Sequence, residues 1–217
     1  MPSLRAEPSG TSEIVRLFPT FAGKSRLGAD ARATIQRTIL EQLSALRAGL
    51  PELEPGEVWQ SRHGLQAASE LAPLVHHLRL GVEQVLAFLQ VGTASFEITG
   101  LWLNVAAPGG AVRMHNHPNN FLSGVYYVQV QQGADTINFH DPRPQAAVIR
   151  PPVTELTAYN TDQVVLKVDE GTLLVFPAWL MHSVEPNRSE RLRISASFNA
   201  MFSSFSETMG QPLWGEP

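Results

Sequence analysis

The sequence predicts a mainly β fold, a sandwich or jelly roll with helices covering one outer sheet face. Three observations carry that prediction. β-Branched and aromatic residues gather into short runs from residue 95 onward. Turn signals separate the runs. Helical periodicity is confined to residues 1 to about 92.

The runs cover residues 96–105, 122–130, 136–139, 146–150, 163–168, 172–176 and 191–198. Between them stand Pro108-Gly109-Gly110, Gln132-Gly133, Asp141-Pro142, Pro151-Pro152 and Glu170-Gly171, each a break that a strand cannot cross. Close spacing of short strands is the mark of a sandwich or barrel. Upstream, residues 31–48 carry Ile35, Ile39, Leu43 and Leu46 near helical spacing, and Gly49 and Pro51 end the pattern. A loop is expected over 51–57. A second helix is expected from about 69 to 90. Leu71, Leu74, Val75, Leu78, Val82, Val85, Leu86 and Leu89 form its apolar stripe, suited to packing on something flat. Ser69 is the expected N-cap. Pro73 fits the first turn, and Gly81 weakens the middle. The expected organisation is one domain over 1–217. A helical part (1–94) packs on a jelly-roll core (95–200), followed by a tail (201–217).

With 217 residues the chain can bury a sizeable core. Hydrophobic residues make up 43% and charged residues 17%, an ordinary globular balance. The formal net charge of −4 argues against a surface built for nucleic acid or anionic membrane. No run of about 18 apolar residues exists to span a bilayer. Residues 1–10 lack the apolar stretch of a secretion signal, so a cytoplasmic location is expected. The chain has no cysteine, which excludes disulfides and thiolate ligands. Any metal must be held by imidazole and oxygen.

His115-Asn116-His117 is the first feature that asks for such a metal. If the segment is a strand, residues i and i+2 face the same way, and both imidazoles reach one ion. Taken alone, the pair fits a surface strand equally well. His182, after Phe176-Pro177-Ala178-Trp179-Leu180 and opening a short strand with Ser183-Val184, is the best third ligand. His63, His76, His77 and His140 read as surface or structural histidines. His76 and His77 are neighbours on a helix and point apart. Downstream, Arg193 and Ser195 share one strand face. A guanidinium grips a carboxylate in two-pronged fashion, and the serine adds a donor. The bland alternative is a strand-edge salt bridge.

Several stretches together resemble a known family. They are His115-Asn116-His117-Pro118, Ser123-Gly124-Val125-Tyr126-Tyr127-Val128, residues 137–143, residues 176–182 and residues 193–199, with Leu17-Phe18-Pro19-Thr20 near the start. The family is that of 2-oxoglutarate- and iron(II)-dependent oxygenases, a bacterial and phage group distantly similar to prolyl hydroxylases. The resemblance implies a double-stranded β-helix, a cupin-like jelly-roll barrel with iron(II) in its mouth. It implies metal ligands His115, His117 and His182, with 2-oxoglutarate as cosubstrate. Arg193, Ser195 and Tyr127 would hold the distal carboxylate, while Tyr126 faces the other way. It implies hydroxylation of a C–H bond with release of succinate and CO2. Asn104 and Asn199 are candidate pocket residues, as is Trp102, though packing explains Trp102 equally well.

One departure from the family pattern stands out. The broad superfamily uses His-x-Asp or His-x-Glu, and here the third position is His117. Losing the carboxylate leaves the site one unit more positive. Asp141, in a turn, is a weaker candidate for a substitute. Two other readings stay open: a three-histidine dioxygenase that does not use 2-oxoglutarate, and a non-catalytic metal- or ligand-binding barrel. The expected partner is a small-molecule or peptide substrate, with no nucleic acid and no membrane. The helices offer enough apolar surface for a homodimer, although burying it within one chain is simpler.

Overall fold

The computed structural model describes residues 13–92, 95–143, 148 and 152–203. Its elements run β1 (Gly23–Arg26), α1 (Ala29–Leu46), β2 (Val58–Gln60), α2 (Ala72–Phe88), β3 (Phe96–Ala106), β4 (Val112–His115) and β5 (Leu122–Gln129). Then come β6 (Thr136–His140), β7 (Gln163–Lys167), β8 (Thr172–Pro177), β9 (His182–Val184) and β10 (Arg193–Phe202). All pairings are antiparallel. One sheet has six strands in the order β1-β8-β5-β10-β3-β2, and the other has four, β4-β9-β6-β7. Together they make the jelly roll of a double-stranded β-helix.

Two apolar clusters show why the sheets and helices stack as they do. Side chains alternate along a strand, so each strand of the large sheet feeds both of its faces. Leu101, Leu103, Tyr126, Leu173, Val175, Ala196 and Phe198 face the helices, meeting Ile39, Leu74, Leu78 and Val82. Val125, Tyr127, Leu174 and Phe176 face the other way and meet Ile137 and Phe139 of the small sheet. Two glycines permit the closest approaches. A Cβ on Gly81 would lie 2.5 Å from Leu173, so the residue that weakens α2 is also what lets it lie on β8. A Cβ on Gly124 would strike the Phe198 ring and the Leu174 carbonyl.

The structure corrects several expectations. The part before residue 95 is not only helical: β1 and β2 extend the two edges of the large sheet. Strands this short are too brief to show alternation in sequence. Ser69 is not the cap of α2. It opens a 3-10 turn over Ser69–Leu71, its hydroxyl meets the Glu70 carboxylate at 3.2 Å, and Leu71 occupies the cap position without a side-chain bond. Pro73 in the first turn removes one of the N–H groups that a cap would serve. The last strand runs on to Phe202, past a bulge between Asn199 and Ala200. Readings placed on 1–12, most of 146–150 and the tail beyond 203 lie outside the described residues. Among the described residues no helix is long and apolar enough to cross a membrane.

Candidate metal centre

His115 ends β4, opposite His182 at the start of β9. His117 is not on the same strand, as its i+2 spacing predicted. The strand stops at His115, and the chain turns so that the His117 amide donates to the Ala178 carbonyl at 2.9 Å. That bond ties the His117 loop to the turn before His182, and convergence is reached through the fold instead of through strand alternation. The three rings meet, with centroids 4.3 Å apart for His115–His182, 5.0 Å for His115–His117 and 5.2 Å for His117–His182. One nitrogen from each lies within 4.8 Å of the others. Nitrogens about 2.1 Å from one ion and at right angles lie about 3 Å apart, so the rings must close by up to about 2 Å to share an ion.

Ring orientation and protonation suit such an ion. The Nδ1 atoms of His115 and His182 lie 2.8 and 2.9 Å from the carbonyls of Arg113 and Leu180. A carbonyl only accepts, so each Nδ1 carries the proton, and the neutral ring keeps a free Nε2 lone pair. Burial pushes His182 down to about 4 against the opposing Leu180 bond, with smaller downward contributions from His115 and His140. Burial pushes His117 down to about 4 as well, helped by His182, His115 and His63. Both rings are therefore neutral near pH 7 and able to bind metal. Asp141 does not join them. Its carboxylate is held by Arg143 at 2.6 Å and is drawn below its ordinary range by that bond.

The cavity side of β10 holds the rest of the predicted set. Arg193 and Ser195 are 5% and 6% exposed. Ser195 pairs with Tyr127 of β5 and with Asn104 of β3, so these three form one row across the sheet. The Arg193 guanidinium lies 5.4 Å from the Tyr127 ring centroid. Among the described residues no carboxylate lies within 4.0 Å of Arg193, so the salt-bridge alternative finds no partner there. Its Nε and the Tyr127 hydroxyl are both buried without a hydrogen-bond partner. Burial raises Tyr127 to about 12 against the opposing pull of Arg193, and burial lowers Arg193. The two side chains interact with each other, yet Arg193 Nε and Tyr127 Oη are left without a well-formed hydrogen bond, and such buried polar atoms are costly unless an anion takes them. A dicarboxylate reaching from the histidines fits this pair, and the three imidazoles fit a divalent metal.

The two asparagines face the same interior but are already engaged. Asn104 accepts from Gln60 at 2.8 Å and donates to Ser197 at 2.9 Å. Asn199 accepts from Ser123 at 2.6 Å. His140 meets Ser183 at 2.9 Å, beside His182 but outside the three-ring cluster, and His77 leaves a buried Nε2 unpartnered against the Tyr126 ring. Trp179 is 51% exposed on the turn that carries Ala178, a rim position. His63 lies at the surface, as the sequence reading expected. It is exposed, yet it stacks on Trp102, which in turn lies beside His117. A lone histidine in a loop carries no signal of a partner 39 residues away.

Comparison with known proteins agrees with this geometry. Residues 100–199 match the family described as "Putative 2OG-Fe(II) oxygenase". Solved structures share the fold at low identity. HygX from Streptomyces hygroscopicus, crystallised with nickel and 2-oxoglutarate, is 13% identical with a TM-score of 0.59, covering 85% of this chain and 83% of its own. SnoN, the non-haem α-ketoglutarate-dependent epimerase of nogalamycin biosynthesis, is 16% identical with a TM-score of 0.58, covering 83% and 79%. A Pseudomonas putida prolyl-4-hydroxylase is 17% identical with a TM-score of 0.53, covering 84% and 93%. No curated protein matches the chain in sequence. The family match spans residues 100–199, from β3 to β10, the stretch that carries all three converging histidines and Arg193.

Proposed function

We propose that this protein is an iron(II)- and 2-oxoglutarate-dependent oxygenase that hydroxylates a C–H bond of a small molecule or peptide in the cytoplasm. The observation that carries the reading is the pair of buried, unpartnered donors, Arg193 Nε and Tyr127 Oη, in the same barrel as the three histidines. His115, His117 and His182 would hold iron(II). Arg193, Tyr127 and Ser195 would grip the far carboxylate of 2-oxoglutarate, and Asn104 would border it. Loaded in this way, the site supplies oxidation by dioxygen, ending in succinate, carbon dioxide and a hydroxylated substrate. The protein's own work is to keep His117 and His182 neutral, to leave Nε2 of His115 and His182 bare, to orient the diacid, and to keep water out with Tyr127, Leu174 and Phe176.

The test is anaerobic addition of iron(II) and 2-oxoglutarate. A visible metal-to-ligand charge-transfer band should appear in the parent. Arg193→Ala should weaken 2-oxoglutarate binding by about 2 kcal/mol or more, the usual cost of removing one partner from a buried charge pair. His182→Ala should lose retained iron while keeping its fold. A parent that shows no band and no 2-oxoglutarate binding would favour a three-histidine site of another kind, the reading that the missing carboxylate and the engaged Asp141 support.

A further inference from the structure

The barrel mouth beside His117 carries an aromatic surface that neither metal nor cosubstrate binding uses. Trp102 projects from β3 to the interior, 4% exposed, with its ring centroid 5.7 Å from that of His117. His63 lies flat against it, 4.2 Å away with the planes 2° apart. Unlike Trp102, His63 is exposed, and one face of its imidazole rests on the indole.

The loop that presents His63 is pinned, not loose. The Ser61 amide donates to the Leu103 carbonyl at 2.9 Å, and the Leu103 amide donates to the Ser61 hydroxyl at 2.9 Å. Gly64, at φ 105°, then turns the chain away.

Strand register separates this surface from the cosubstrate anchor. Trp102 pairs with Ser197, while Arg193 pairs with Ala106 at the far end of the same face. Four residues of strand are about 14 Å. A diacid anchored at Arg193 and reaching the histidines therefore leaves the Trp102 end free. A histidine that merely covered a tryptophan would need no such place beside the metal.

We propose that His63, backed by Trp102, is a substrate-positioning residue whose outer imidazole face stacks a flat aromatic or heteroaromatic ring of the substrate over the metal site. This rests on the oxygenase reading. The probe is indole, added without oxygen to protein loaded with Mn(II) and 2-oxoglutarate. Paramagnetic relaxation of the indole protons should be strong in the parent. Indole should bind about fivefold more weakly to His63→Ala, roughly the worth of one aromatic pair. His63→Phe should restore it, and all three proteins should bind Mn(II) and 2-oxoglutarate alike. Indole left unrelaxed in the parent, or relaxed equally in His63→Ala, would overturn the proposal. A parent that fails to bind Mn(II) or 2-oxoglutarate would instead sink the oxygenase reading. The shelf is then judged on metal-free protein: indole that moves the His63 ring resonances supports it, and unmoved resonances overturn it.

Discussion

Strand β10 presents two surfaces made from alternate residues. Ile194, Ala196, Phe198 and Ala200 join the apolar cluster under the helices. Arg193, Ser195, Ser197 and Asn199 turn to the barrel interior, three of them bonded or orphaned polar groups. Backbone and solvent exposure are nearly the same on both sides, yet one face is dry and self-satisfied while the other is polar with donors left unmade. Stability and the proposed cosubstrate binding thus fall to neighbouring residues that differ only in the parity of their number. Substitutions on one face should leave the property of the other largely untouched.

The largest effect should come from the helix face. Phe198→Ala empties a fully buried ring and should cost about 3–5 kcal/mol in urea unfolding. A smaller loss would mean that the Gly124 contact collapses into the space. On the interior face, Arg193→Leu should behave oppositely. It removes a buried guanidinium that has no carboxylate beside it, so the ligand-free protein should melt no lower than the parent. A clear drop in Tm would show that Arg193 is structural and would break the comparison.

Acid should act through the interior face as well. His117 and His182 titrate near 4 in the folded protein and near 6.5 unfolded, so the unfolded chain binds more protons between those values. Stability of the metal-free protein is fully present above about 6.5 and falls as pH drops towards 4. The double variant His117→Gln/His182→Gln should show a flatter profile across that window in thermal melts. The smallest effect belongs to Tyr127→Phe. Its hydroxyl makes no well-formed hydrogen bond beyond its interaction with Arg193, so unfolding stability should change little, while calorimetry should show 2-oxoglutarate binding weaker by about 1 kcal/mol.

Much of this was legible before any coordinates. The division of Tyr126 from Tyr127, and of Arg193 and Ser195 from Ile194, follows from period-two alternation, which is local and visible in sequence. The helix stripes were legible for the same reason, with α2 ending within two residues of its expected end. The histidines and Arg193 were singled out by residue type and by family resemblance. Other features were not legible. β1 and β2 are too short to carry a pattern and become strands only because the large sheet has open edges at β8 and β3. The turn that swings His117 off β4 is set by a bond to Ala178, which no spacing rule encodes.

The sequence by itself determined which residues share a face and where the apolar stripes lie, because each of these depends on near neighbours in the chain, and its residue types marked the side chains proposed for metal and carboxylate binding. Only the tertiary structure decided that three histidines from two segments meet, that Asp141 is taken by Arg143, that Arg193 is left without a carboxylate, and that His63 stacks beside the site. Those facts depend on which distant strands pair and in what register. Closure of the barrel sets that register through packing summed over the whole chain, and no short stretch of residues contains it.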